Sequence, residues 1–288
     1  MALPRLDRHL SVYWVAPMRN ATASLRRRRP EIPILMYHSV SDDPETGIGP
    51  YYRLATPPAL FRDHLSILDD AGYSVVSLRE AVAALGLPNP SPVKHAVITF
   101  DDGFRDFLTD AWPALARRSF GATVFLPTQY IDTPRRSFVG RECLEWSEVL
   151  DLRRAGIEFG SHTVSHPKLE QLSETELEGE LARSRDCLEQ RLAEKVDLFC
   201  HPYAFPAGNR AYVERFRATL LRTGYSIATT TKVGRADDES DPLMLPRLPV
   251  NGADDRRLFA AKLDGAYDWI ARPQSLLKRV KRLVRRVS

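Results

Sequence analysis

The sequence predicts an α/β fold, a (β/α) barrel in a single catalytic domain, and three observations predict it. From Ile32 onward, short β-branched or apolar runs alternate with longer amphipathic stretches, the pattern of βα units. About seven or eight such repeats fall within about 240 residues, which suits a barrel better than a two-layer sandwich. Polar side chains able to do chemistry follow the apolar runs one after another, and βα barrels carry their sites at those strand ends.

The expected strands are Ile32 to Tyr37, Ser74 to Leu78, Ala96 to Phe100, Ala122 to Leu126, Ile157 to Gly160, Leu198 to Cys200, Ser226 to Thr229 and Leu245 to Val250. Between the first two, Thr56-Pro57 caps and opens a helix that runs through Phe61, Leu65 and Leu68 to Gly72, with proline where a missing N–H costs nothing. Ser173-Glu-Thr-Glu176 is a capping box opening a long helix through Leu192. Asp254 is the expected start of the last helix, through Phe259, Leu263 and Trp269. No internal repeat or low-complexity block interrupts the pattern, so residues 1–30 read as a basic N-terminal extension, 31–270 as the catalytic domain and 271–288 as a basic amphipathic tail.

Composition bounds the function. A chain of 288 residues, 43% hydrophobic and 27% charged, can bury a real core. Its three cysteines, Cys143, Cys187 and Cys200, form no disulfide framework and no CxxC pair, which suits a reducing compartment. The apolar stretch within Ser11 to Met18 is too short and broken for a signal-peptide core, and no later run could span a bilayer, so export by a cleaved signal is not expected. The net charge of +4 is uneven: Arg26 to Arg29 carry four positive charges and residues 272–288 carry seven with no acid, leaving −7 for the rest. An acidic body argues against a nucleic-acid groove. In the tail, Leu276, Leu277, Val280, Leu283, Val284 and Val287 recur at helical spacing among lysines and arginines. Such a helix can lie on an anionic membrane or pack its stripe on the parent domain.

Reading the strand ends in order gives His38, then Asp101-Asp102-Gly103, then Ser161-His162 with His166, then His201-Pro202-Tyr203, and Arg247 on the last strand. Adjacent carboxylates cannot point the same way in extended backbone, so Asp101 and Asp102 can take different roles, with Gly103 permitting a tight turn. Alone, Asp102-Gly103 reads equally as a helix N-cap for the stretch through Phe107 and Leu115. His162 and His166, four residues apart, suit two metal ligands on one turn or loop, and suit core or surface histidines as well. Together with one aspartate they make three protein ligands, the number that leaves a position open for water at a catalytic metal.

The blocks Thr99-Phe-Asp-Asp-Gly103, Ser161-His-Thr-Val-Ser-His166 and Pro202-Tyr203 resemble, in order, the first three motifs of the polysaccharide deacetylases, carbohydrate esterase family 4. The resemblance spans about Ile32 to Val250. It implies a distorted (β/α) barrel of about seven strands and metal-dependent hydrolysis of N-acetyl groups, less often O-acetyl groups, on sugars. By position it makes Asp101 the general base, Asp102, His162 and His166 the ligands of a divalent metal, with zinc expected, and the Tyr203 backbone N–H part of an oxyanion hole.

The chain departs from the commonest family pattern at its C-terminal end, where Leu245-Pro-Arg247 replaces a Leu-x-His block and no histidine follows His201. The block Ile34-Leu-Met-Tyr-His38 is similar to the N-terminal motif of the poly-N-acetylglucosamine deacetylase branch, which implies His38 as the acid that protonates the leaving amine. Arg247 either orients Asp101 and favours its ionised form or makes a plain surface ion pair. His201 reads as a packing residue, His9, His64 and His95 as surface or helix residues. Trp146 and Phe205 are candidates for a sugar platform, although a tryptophan at a helix start is more often core.

The function expected is deacetylation of an N-acetylhexosamine in a glycan, glycolipid or glycoconjugate precursor. Its alternatives are amide hydrolysis on a formamido sugar or cyclic imide, and a glycan-binding protein with a degenerate site. The expected location is cytoplasmic, with the tail as a peripheral contact at the inner face of the membrane. Nothing in the sequence speaks to oligomeric state.

Overall fold

The computed structural model describes residues 5–22, 30–87 and 93–270. Seven parallel strands close into a barrel: β1 (Ile34–Tyr37), β2 (Lys94–Phe100), β3 (Thr123–Leu126), β4 (Glu158–Ser161), β5 (Leu198–Cys200), β6 (Ile227–Val233) and β7 (Leu245–Pro249). Neighbours run in sequence order from β2 to β7, and β1 joins the two ends by pairing with both β7 and β2. An eighth strand, Tyr73–Val76, pairs with the first half of β2 outside this ring. The barrel is irregular, because β4 and β5 share one aligned pair, Ser161 with Phe199, and the β6–β7 register shifts between Thr229 and Val233.

Period-two alternation explains how this barrel builds a site. At its closed end, Ile34, Val97, Phe125, Leu198, Ile227 and Leu245 form one apolar cluster with Leu78 and Ala81 of the helix Leu78–Leu85. Two residues further along their strands, Thr99, Cys200 and Arg247 point into the same interior, where Arg247 donates to Thr99 Oγ1 and to the Cys200 sulfur. Asp101 tops that column, with its N–H bonded to the Tyr37 carbonyl. On β4 the interior position is Gly160, where a Cβ would lie 2.7 Å from the Phe125 ring and 2.9 Å from Leu198 Cβ. A larger core cluster fills the space between barrel and helices, including Leu35, Phe61, Leu65, Phe107, Val149, Leu188 and Phe259.

Several elements differ from the sequence expectation, each for a local reason. The first strand is broken at Pro33, which has no N–H for a ladder: Glu31–Ile32 pairs antiparallel with Ala236–Asp237, and β1 begins after it. Thr56 does not cap the helix Pro58–Asp70, because Ala55–Thr56 is itself a short strand paired with Ser39–Val40. The last α-helix among the described residues is Arg256–Leu263, capped by Asp255 accepting from the Leu258 N–H, and Trp269 lies beyond it in a separate 3-10 turn, Asp268–Ile270. Asp254 instead pairs with the buried Lys262 at 2.6 Å. The Ser173 capping box forms as expected at the head of the helix Glu174–Leu192.

Residues Leu6–Ala21 form one helical run whose middle turn, Ser11–Val15, is a π-helix. It lies against the C-terminal part of the domain through Tyr267, whose hydroxyl donates to Asp7, and Trp269, whose Nε1 donates to Ser11 Oγ. The tail expected at 271–288 lies outside the described residues. Among the described residues, no helix is long and apolar enough to cross a membrane.

Candidate metal centre

Asp101 and Asp102 follow β2 and meet the same cleft by different means. Alternation alone would send Asp102 away from the interior. A left-handed turn, with φ +72° at Asp102 and +62° at Gly103, swings it back. Only glycine fits the second of these positions, where a Cβ would also strike Leu126 Cδ2 at 2.7 Å. The helical stretch after the turn begins only at Phe107, so Asp102 is no N-cap.

His162 follows β4 in register with Gly160, and its N–H bonds the Leu126 carbonyl. Its Nδ1 lies 2.8 Å from the Cys200 carbonyl, which can only accept, so Nδ1 carries the proton and Nε2 is free to be a ligand. His166 is brought round by left-handed residues at Thr163 and at itself, and its N–H donates to Thr163 Oγ1. The two imidazole centroids stand 4.7 Å apart. Asp102 Oδ1 lies 3.5 Å from His162 Nε2 and 3.4 Å from His166 Nε2, and this buried oxygen has no hydrogen-bond partner. Burial pushes the His166 imidazolium down to about 4, so this ring is neutral at pH 7.

The donor set fits a cation. Ligand bonds of about 2.1 Å in a tetrahedral site place ligand atoms about 3.4 Å apart, the spacing seen here between Asp102 and each histidine. An unpaired buried carboxylate oxygen faced by imidazole nitrogens would otherwise carry a desolvation cost without a bond to offset it. A second cluster, Asp101, His162 and Cys200, also has ligand-like spacing. It is the poorer site, because Arg247 holds both Asp101 oxygens at 2.7 Å and the Cys200 sulfur at 3.0 Å, and that guanidinium would repel a cation.

Arg247 is fully buried, so it makes no surface ion pair. Burial would raise the Asp101 pKa, but the charge of Arg247 and its two hydrogen bonds outweigh burial and hold that carboxyl well below the usual range. His38, at the end of β1, places Nε2 4.0 Å from Asp101 Oδ2. Tyr203 follows β5 with φ +57°, and its ring packs 4.5 Å from that of His166, opposite Phe138 at 4.9 Å. All seven residues singled out in the sequence thus gather at one end of the barrel.

Other expectations do not hold. Trp146 and Phe205 are buried and cannot serve as a sugar platform. The aromatic walls beside His166 are Phe138 and Tyr203. His201 is a packing residue as expected, with Nε2 2.7 Å from the Tyr212 hydroxyl and its pKa pushed down to about 3 by burial. His64 lies on a helix but fully buried, and His95 stands on β2. Two supports carried no sequence signal. Cys200 joins Asp101 to His162, through its sulfur and its carbonyl. Glu180, on the helix Glu174–Leu192, accepts from the Val164 and Ser165 N–H groups at 2.9 and 3.0 Å and so grips the loop between the two histidines.

Residues 89–228 match the family model for polysaccharide deacetylase. YxkH of Bacillus subtilis strain 168, named for the same family, is 26% identical over 85% of this chain and 81% of its own. The poly-beta-1,6-N-acetyl-D-glucosamine N-deacetylase of Escherichia coli K12 is 27% identical over 45% of this chain, a match covering 20% of that protein. Among solved structures, the Streptococcus pyogenes deacetylase PplD in complex with acetate superposes with a TM-score of 0.71 at 26% identity, covering 82% of this chain and 99% of that one.

Proposed function

The chain carries a polysaccharide deacetylase domain and is a hydrolase of non-peptide carbon–nitrogen bonds, and on that premise we propose that it removes N-acetyl groups from N-acetylhexosamine units of a glycan, glycolipid or glycoconjugate precursor. We assign catalysis to residues 31–270 and a divalent metal, zinc, to Asp102, His162 and His166. The observation that carries this reading is the unpartnered, buried Asp102 Oδ1 with two imidazole nitrogens aimed at it. The acetate held by PplD and the N-deacetylase activity in the name of the Escherichia coli relative support an acetylated amino sugar as substrate.

When bound, such an ion polarises the acetyl carbonyl and lowers the pKa of the attacking water. Asp101, kept ionised and oriented by Arg247, accepts the proton of that water. The Tyr203 backbone N–H donates to the oxyanion, a contact whose loss typically costs ~3 kcal/mol in the barrier. An amine is too basic to leave as an anion, and His38 is the acid placed to protonate it.

Zinc-loaded protein should release acetate from N-acetylglucosamine oligomers. Asp101→Asn should lower kcat about a hundredfold or more while metal content is kept, and His166→Ala should lose the metal. Formate release without acetate, or undiminished metal in a variant lacking all three ligands, would overturn the assignment.

A further inference from the structure

The helical run Leu6–Ala21 is amphipathic in the wrong sense for an ordinary surface helix, which buries its apolar stripe and presents its polar face to water. Here the fully buried positions of the run are polar, Asp7 and Ser11, with Val12 packed partly against the core beside them. Asp7 accepts from Arg5 at 2.6 Å, from the Tyr51 hydroxyl at 2.5 Å and from the Tyr267 hydroxyl at 2.8 Å, and Ser11 accepts from Trp269. The opposite side is apolar and open: Leu6 is 68% exposed, Leu10 40%, Tyr13 46%, Trp14 62% and Met18 67%. Their spacing of three and four residues puts all five on one face. Hydrogen bonds on the inward side fix which face looks out, so the helix cannot simply roll over to hide it.

We infer that this face is a docking surface for an anionic lipid bilayer. Leucine and methionine with a tryptophan and a tyrosine, on a face about four turns long, are the side chains that settle at the boundary between headgroups and acyl chains. Charge complementarity favours lipid over a second protein. Arg26 to Arg29 begin four residues beyond Thr22, and residues 272–288 add seven positive charges without an acid. Trp269, bonded to Ser11, lies three residues before that second stretch in the chain. Arg5 also ties the helix to Ala253 and Asp254, in the loop leaving the C-terminal end of β7. Docking therefore brings the end of the barrel that carries the metal centre alongside the bilayer.

Sedimentation of the full chain with phosphatidylcholine vesicles, with and without phosphatidylglycerol, tests this. The intact chain should bind only the anionic vesicles, with Trp14 fluorescence blue-shifted and quenched by brominated lipid. Leu10→Glu/Trp14→Glu, which leaves both basic segments in place, should bind about tenfold or more weakly. Its circular dichroism and acetate release from a soluble substrate should match the parent, since both residues are exposed and neither belongs to the site. Equal vesicle binding by parent and variant would overturn the inference, as would no binding by the parent. A parent that dimerises without binding vesicles, and a variant that is monomeric, would overturn it in favour of a second copy.

Discussion

Arg247 places a guanidinium at zero exposure inside the barrel and meets all five of its N–H groups with acceptors: both Asp101 oxygens, Thr99 Oγ1, the Thr230 carbonyl and the Cys200 sulfur. Such a pair contributes little net stability when whole, because desolvation offsets attraction, yet losing one partner leaves the other buried and charged. Arg247→Met should therefore destabilise the fold by about 3–5 kcal/mol in urea titrations, far beyond the loss expected for an exposed pair. A change below about 1 kcal/mol would mean that water reaches the pair. The same contacts explain why Asp101 can stay ionised at 2% exposure, as the proposed base requires.

At the scale of elements, the loop from Ser161 to His166 is held by a helix rather than by its own strand. Ser184 Oγ lies 2.7 Å from Ser161 Oγ, and one turn earlier Glu180 takes the Val164 and Ser165 N–H groups together with the Ser165 hydroxyl at 3.0 Å. Four left-handed residues around the site, Asp102, Thr163, His166 and Tyr203, hold conformations that non-glycine residues rarely take, and these long-range bonds brace the two of them, Thr163 and His166, that lie on this loop. Glu180→Ala should weaken zinc affinity about tenfold to a hundredfold, measured by competition with a chromogenic chelator. Unchanged affinity would show that the backbone bonds of Thr163 and Val164 to the segment 128–129 suffice to hold the loop.

Over the whole molecule, the two ends of the described chain meet in a buried polar network. His64 sits within it, its Nε2 donating to the Asp254 carbonyl at 2.8 Å and its Nδ1 accepting from the Tyr37 hydroxyl at 3.0 Å. Both ring nitrogens are satisfied in the neutral form, and burial pushes the imidazolium down to about 4 from its ordinary 6.5. Between these values the unfolded chain binds a proton that the folded chain refuses. Stability is thus present above about pH 6.5 and is lost as pH falls toward about 4, by on the order of 3 kcal/mol for this group. Denaturant titrations at pH 7 and pH 4.5 should show that loss, and His64→Gln should flatten the slope. An equally steep slope in the variant would place the sensitivity elsewhere.

The sequence by itself determined the barrel, most of its strands, the Ser173 cap and the residues that end up around the candidate metal centre. Those features are written in local periodicity and in short motifs, and alternation along a strand carries a side chain to a predictable face. It left Trp146 and Phe205 open between a sugar platform and the core, because an aromatic residue near a motif looks the same whether it lines a cleft or fills a core. It said nothing of Cys200 and Glu180 as supports, or of which side of the N-terminal helix faces out, and it offered the turn at Gly103 without the left-handed Asp102 that swings the carboxylate inward. Only the tertiary structure decided these, since each depends on hydrogen bonds between residues far apart in the chain, and no spacing within one segment encodes where another segment will lie.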